Sequence, residues 1–468
     1  MRGRGHSTVV IGGGPAGLAA ALALVRAGRP VTVVEREDGV GGIARTVERD
    51  GYRFDIGGHR FLTGIPEIQA LWDELLGADL LVRERRSRIL FHGKLFDYPL
   101  TARSALGGLG PLEGARMLAS FLAARIRPLR PEETLDAWVV NRFGRRMFET
   151  FFRPYTEKVW GIPCEEIGAQ WAAQRIAGLS LCTAIVDMLR RGSGGQRTLS
   201  TRFRYPRLGP GMLWGRIRDR IEAGGGRVLL RTRLAAIHHD RGAVREVVVE
   251  GPDGARALRA SGVVSTVALR DLVPALAPAL PAGAAVAARG LRYRDFLQVA
   301  LVLEGPPPFP DTWLYVHDPG LRAGRVQNFG AWSPELVPFP DRACVGVEYF
   351  CSVGDDLWRQ PDAALVRLAA DELARLGRFR PGRVVAGHVI RMRDAYPVYD
   401  GQHRARVGAI RAALDRLENL RLAGRNGTHR YDNMDDAMAS GLAAARSLLA
   451  RDGGAAAEDP GERLTASA

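Results

Sequence analysis

Residues 7–46 read STVVIGGGPAGLAAALALVRAGRPVTVVEREDGVGGIART. Ser7 to Ile11 is a short β-branched apolar run with three glycines directly behind it. Small apolar residues from Pro15 to Ala27 predict a helix, and Gly28 is placed to end it. Val31 to Val34 predicts a second strand, which runs into Glu35. Strand, helix and strand in that order make a βαβ unit with Gly12-x-Gly14-x-x-Gly17 at its first turn, the pattern of a dinucleotide site. Gly12 permits the tight turn, Gly14 lets backbone approach a pyrophosphate, and Gly17 lets the helix lie close to the strand. The pyrophosphate would rest on free N–H groups at the helix N-terminus, where the dipole favours an anion by roughly 0.3–1 kcal/mol. Glu35 is placed to accept hydrogen bonds from ribose hydroxyls. A glycine-rich turn in some other α/β protein is the alternative.

Nicotinamide and flavin dinucleotides share this half-site, and the residues after Glu35 distinguish them. Gly41-Gly42, followed by Ala44-Arg45-Thr46, forms a second glycine turn that carries an arginine. Two backbone turns and one guanidinium can neutralise a diphosphate without lysine. Glu35 through Thr46 resembles the FAD fingerprint of the amine-oxidase and protoporphyrinogen-oxidase-like flavoproteins. The resemblance implies that Arg45 lies along the FAD pyrophosphate or the flavin edge. FAD is expected to be held non-covalently, since no Cys or His sits in a recognisable covalent-flavin motif.

With 468 residues the chain has room for two or three domains and a large core. Its 46% hydrophobic and 25% charged residues are ordinary for a globular enzyme. No run reaches the ~18 uninterrupted apolar residues of a membrane span. The first residues, MRGRGHSTVV, are basic without an apolar stretch ahead of the first strand, so a cytoplasmic protein is expected. Net charge is +15, and arginine supplies nearly all of the positive side, Lys94 and Lys158 being the lysines. The arginines are scattered, with no basic arm and no aromatic-interleaved patch, which argues against nucleic acid and leaves codon bias or an anionic substrate. Cys164, Cys182, Cys344 and Cys351 have no CxxC or metal spacing and are expected as buried thiols; no metal site is expected.

Further along, Gly51 to Thr63 (GYRFDIGGHRFLT) alternates like a strand as far as the pair Gly57-Gly58 and then brings His59 and Arg60 together on a loop. This run resembles the histidine loop of UDP-galactopyranose mutase and its relatives, which implies that it faces the flavin ring. The second histidine of that loop is Leu62 here. Ile65 to Leu76 has helical spacing, and Arg88 to Pro99 reads as a hairpin turning at Gly93. Leu112 to Arg190 is expected to be mostly helical, with helical spacing over Glu132 to Phe152 and Ile167 to Leu179. Pro154 to Gly161 (PYTEKVWG) resembles the mutase segment whose tryptophan borders the substrate, which implies substrate contacts from Tyr155, Lys158 and Trp160. Gly192 to Gln196 reads as a flexible link. Tyr205 to Met212 (YPRLGPGM) resembles the turn that returns the chain to the FAD domain, with a helix to Ala223 after it. Strands are expected at Arg227 to Thr232, Ala243 to Glu250 and Ala257 to Ser265. A second, mixed sheet is expected from Phe296 to Leu303, Trp313 to His317, Val326 to Trp332 and Ala343 to Ser352, with a helix from Ala363 to Leu376. Arg391 to Tyr399 resembles the substrate side of the mutase-like group, with Arg393, Tyr396 and Tyr399 as contacts. Leu420 to Leu422 reads as a strand, followed by AGRNGTHRYDNMDD and a helix from Ala437 to Leu449, with Asp435 or Asp436 as its cap. That stretch resembles the mutases' glycine–arginine turn, which implies that Gly424, Arg425, Asn433 and Met434 meet the flavin.

The expected architecture is α/β: a doubly wound, Rossmann-like FAD domain built from 1–77, 201–285 and 401–452. It would carry a helical insertion at 78–200, a mixed-sheet substrate domain at 286–400 and a disordered tail at 453–468. The cofactor set is Gly12, Gly14, Pro15, Ala16, Gly17, Glu35, Arg36, Gly41, Gly42, Arg45, Gly57, Gly58, His59, Gly424, Arg425, Asn433 and Met434. His59 and Arg60 are the catalytic candidates; Tyr155, Lys158, Trp160, Arg393, Tyr396, Tyr399 and Arg425 are the substrate candidates. The expected activity is FAD-dependent removal of a hydride from a C–H beside a hydroxyl or amine of a polar, sugar-like or anionic small molecule. A sugar-nucleotide mutase working with reduced FAD is the alternative; a non-catalytic scaffold or nucleic-acid binder is a third class.

Overall fold

The computed structural model describes residues 7–98, 108–176, 202–376 and 381–453. The expected link at Gly192 to Gln196, Cys182, Pro99 and the tail beyond Gly453 lie outside the described residues.

Five short segments pair in parallel in the order Arg227–Leu229, Val31–Val34, Ser7–Ile11, Gly254–Ser265 and Leu420–Leu422. Both faces of such a sheet are covered, which is why its central strand is a continuous apolar run. Val9, Val10 and Ile11 are all buried. The amino-terminal half of Gly254–Ser265 leaves this group and pairs antiparallel with Ala243–Gly251, which pairs in turn with Arg233–Asp240. Helix Pro15–Arg26 opens on proline, whose missing N–H costs nothing in a first turn. It is buried along nearly its whole length, and its small residues let Met434–Gly453 pack against it.

A second sheet has seven strands among the described residues, in the order Val384–Pro397, Tyr293–Glu304, Arg342–Cys351, Arg325–Asn328, Trp313–Val316, Ser87–Phe91 and Lys94–Asp97. It is antiparallel except where Trp313–Val316 meets Ser87–Phe91, so it is mixed as expected. Helix Asp362–Ala374 covers one face through Leu365, Ala369 and Leu373.

The structure departs from the expectations in several places, and strand Val384–Pro397 at the edge of the second sheet is one that the sequence analysis does not contain. The hairpin of Ser87–Phe91 and Lys94–Asp97 falls in the stretch expected as a helical insertion but forms the edge of the second sheet, because Ser87–Phe91 pairs with Trp313–Val316, more than 200 residues away. The helical run from Glu132 breaks at Gly144, where φ is +84° and a Cβ would lie 2.6 Å from the backbone nitrogen of Phe121. Val326 to Trp332 is a strand only to Asn328 and then one helical turn, Phe329–Trp332. Arg233–Asp240 is a strand with no counterpart in the sequence reading, since half its positions are charged or histidine.

Candidate functional site

The carboxyl ends of the parallel strands open onto a cavity of about 770 Å³, where an α/β sheet places its ligands. That volume lies in the upper part of the ~300–1,000 Å³ range of ligand sites. Gly12, Gly14, Pro15 and Ala16 form one wall. Gly12 has φ +106°, and a Cβ on it would sit 2.0 Å from Thr266 Oγ1. A Cβ on Gly17 would sit 1.9 Å from the Gly12 carbonyl oxygen, so Gly17 seats the helix and does not line the cavity. Gly14 is different: a Cβ there meets only Gly42 Cα, at 3.9 Å, so its free side is the cavity. The second glycine turn hangs on the first, the Gly41 N–H donating to the Gly13 carbonyl at 2.8 Å. Gly41 packs against Trp214 behind the wall, while Gly42 and Arg45 face the cavity. The Glu35 carboxylate accepts the N–H groups of Gly13 (2.6 Å) and Glu37 (2.9 Å), which leaves acceptor capacity on both oxygens. Arg36 lies beside it and pairs with Glu37. A cradle that side chains at Gly14 and Gly42 would fill, a helix N-terminus, an arginine and an acid at one end fit FAD.

The hairpin Thr46–Arg49 and Tyr52–Asp55 delivers the histidine loop to the same cavity, which Gly57, Gly58, His59 and Arg60 all line. Gly57 turns the chain with φ +96°. Burial, reinforced by the nearby cations Arg425 and Arg325, pushes the His59 imidazole down to about 3, so it is neutral at physiological pH. Arg325 is itself neutralised, with Nη2 at 2.6 Å from the carboxylate of Glu348, a fully buried residue that Gln327 also engages. Leu62 lines the cavity too.

The distant turn closes the cavity from the other side. Gly424 has φ +74°, and a Cβ on it would stand 2.8 Å from the Cβ of Ala16, so the two glycine turns touch. Arg425 is held by carbonyls: Nε and Nη2 donate to that of Asp432 (3.1 and 2.6 Å), Nη1 to that of Ala395 (2.8 Å). Its guanidinium lies over the rings of Tyr396 and Tyr431, which stack 5.7 Å apart. Arg393, Tyr396, Asn433, Met434 and Asp435 line the cavity. Asp436 accepts the Asn433 N–H at 3.2 Å, the returning half of a capping box.

Four substrate candidates stand outside this cavity. Tyr155 stacks on His317 at 4.3 Å. Lys158 spends its three donors on the carbonyls of Val316, Asp318 and Ala323, at 2.9, 2.9 and 3.1 Å, so it has no hydrogen left for a ligand. Trp160 is buried edge-on against Trp171, Tyr396 and Tyr431, one layer behind the wall. Tyr399 accepts the Tyr431 N–H through its hydroxyl and stacks on His403. Conversely, Arg325, Asp394 and Asp432 line the cavity beyond the residues to which the sequence motifs point. Asp394 adopts φ +56° where the second sheet slips register, and Asp432 keeps a buried Oδ2 without a partner; burial pushes both carboxyls up. The strand register that joins Arg325 to Glu348 leaves no local pattern in the sequence. Asp432 had one signal, its place inside the glycine–arginine turn.

A chloroplastic protoporphyrinogen oxidase of Nicotiana tabacum is 27% identical over 278 residues, covering 55% of this chain and 50% of that protein. A coproporphyrinogen III oxidase of Mycobacterium tuberculosis is 28% identical over 209 residues, covering 41% and 46%. The chain thus spans about half the length of these curated relatives. Among solved structures, a reduced UDP-galactopyranose mutase superposes with a TM-score of 0.84 at 21% identity, over 97% of both chains. Wild-type putrescine oxidase bound to putrescine superposes with a TM-score of 0.63 at 18% identity, over 95% of this chain and 99% of that one. At these identities the likeness is one of fold. The family model described as flavin containing amine oxidoreductase matches residues 15–449, nearly the whole of the cavity-forming chain. With both glycine turns on a single cavity, the conclusion is that this chain belongs to the flavin containing amine oxidoreductase family and that its cofactor is FAD.

Proposed function

We propose that the protein is an FAD-dependent oxidoreductase that removes a hydride from a carbon bearing a hydroxyl or amine in a polar small molecule. The observation that carries this reading is the convergence of Gly12–Ala16 and Gly424–Met434 on one cavity that also holds a neutral histidine and a tyrosine pair. When bound, FAD supplies the hydride acceptor. Gly12, Gly14, Gly42, Arg45 and Glu35 would hold its dinucleotide part; Gly57, Gly58, His59, Arg425, Asn433 and Met434 would surround its reactive end. His59 is too weakly basic at about 3 to store a proton at neutral pH. Its role is to orient a hydroxyl or amine by hydrogen bonding. Tyr396 and Tyr431, backed by Trp160, exclude water from the reacting carbon, and Arg425 is a fixed cation among them.

The mutase alternative rests on the segment around Trp160 and on the residues after Gly424; the first support weakens because Tyr155, Lys158 and Trp160 pack behind the wall, while the second lines the cavity and serves both readings. Aerobic turnover over a panel of alcohols and amines, read as hydrogen peroxide or dye reduction, tests the proposal. Donor-dependent flavin reduction supports it. Activity that appears only after dithionite reduction, with a nucleotide furanose and no net redox change, overturns it in favour of the mutase.

A further inference from the structure

Most cavity arginines already own a carboxylate. Arg36 and Arg45 approach Glu37, Arg233 contacts Glu250, and Arg325 pairs with Glu348. Arg60 does not. Among the described residues it makes no ion pair, and its guanidinium lies 6.0 Å from the centroid of the Trp313 ring. Behind it stands a second arginine in the same condition. Arg85 gives one N–H to the Tyr98 carbonyl at 2.9 Å, lies 5.6 Å from the Tyr98 ring, and keeps Nη1 buried without an acceptor. The two are joined by an aromatic wall: Tyr98 and Tyr315 have centroids 4.4 Å apart, and Tyr315 meets Trp313 edge-on at 6.3 Å.

Two guanidiniums on one wall without a counter-charge repel each other, and partial burial weakens the screening that would hide this. The guanidinium of Arg85 is accordingly held below its ordinary range, by burial first and by Arg60 next. An anion seated on Arg60 removes the conflict for both. We propose that the substrate carries an anionic group, a carboxylate or a phosphate, that binds Arg60 at the cavity wall, with Arg85 behind it as a positioning charge. This rests on the oxidoreductase reading for the word substrate, but anion binding itself does not require turnover.

The test is difference absorbance of the flavin in the holoenzyme, titrated with inorganic phosphate and, separately, with benzoate, against potassium chloride at matched ionic strength. A saturable perturbation with phosphate alone assigns a phosphate; with benzoate alone, a carboxylate. Arg60→Gln should raise the dissociation constant by about tenfold or more, the loss expected for a charge-assisted contact. Arg85→Gln, which does not line the cavity, should raise it severalfold with flavin content retained, and Arg60→Lys should restore part of the binding. Absence of saturation with both anions, or an unchanged dissociation constant in Arg60→Gln and Arg85→Gln, overturns the inference. Turnover of an amine with kcat/KM indifferent to Arg60→Gln also overturns it while leaving the oxidoreductase standing. Saturable anion binding in an enzyme that oxidises nothing does the reverse.

Discussion

Asp55 ends the strand that leads into the histidine loop, and its carboxyl is fully enclosed. It accepts the hydroxyls of Tyr205 at 2.5 Å and Thr46 at 2.9 Å, tying that loop to the turn that re-enters the first sheet. Burial outweighs both hydrogen bonds and pushes the carboxyl up to about 7. The folded chain therefore holds a proton between about pH 4 and pH 7 that the unfolded chain releases. Stability contributed by this group is complete below about pH 4 and is lost as pH rises toward 7. Asp55→Asn should flatten that dependence: the gap in stability between wild type and variant shifts in the variant's favour from pH 4 to pH 8, measured by urea denaturation at each pH. A parallel pair of curves would show that Asp55 is ionised throughout. At this scale the glycines were legible in the sequence, because Gly12, Gly14 and Gly17 act through backbone shape alone. The charges were not: Lys158 looked like an anion handle, yet three carbonyls from a strand and loop more than 150 residues away consume it.

Among elements, the contact between Pro15–Arg26 and Met434–Gly453 shapes the side of the cavity that both helix starts line. A Cβ on Gly441 would fall 2.0 Å from the carbonyl oxygen of Ala16, in the first turn of the helix that presents its N-terminus to the cofactor. Gly441→Leu should push the helices apart, with an overpacking cost of about 1–3 kcal/mol, and should lower thermal stability and FAD retention together. Thermal melts with flavin content measured on the same samples check this; a destabilised protein that keeps full FAD would show the contact to be remote from the site. The sequence disclosed both helices to within a few residues, since each has periodic small residues and an end signal. It hid Gly441, one glycine among alanines, because close approach is a property of two elements and is written in neither.

For the whole molecule, the first sheet holds the cofactor cavity's floor and the second supplies Arg325 and Met392 to Tyr396. A ligand that bridges segments this far apart in sequence binds only the folded state, so it stabilises by mass action, by about 2.7 kcal/mol at a hundredfold excess over its dissociation constant. The melting temperature of deflavinated protein should rise with added FAD. Gly14→Val, whose side chain would enter the cavity without striking protein, should give a folded, colourless protein with no such rise. A yellow Gly14→Val would place the pyrophosphate elsewhere. The doubly wound and mixed-sheet layers could be foreseen from strand and turn patterns, whereas the hairpin of Ser87–Phe91 and Lys94–Asp97 could not be assigned to its sheet. Its pairing depends on which long-range partner wins.

The touch between Gly424 and Ala16 also sets a schedule. Ribosomes make the glycine helix first and the strand Leu420–Leu422 with its following turn some 400 residues later, so through most of synthesis the nucleotide half-site stands open on one flank. Secure capture of the coenzyme must await that last segment, which makes loading a late event in the life of each molecule and leaves a chain interrupted before residue 424 unable to keep it.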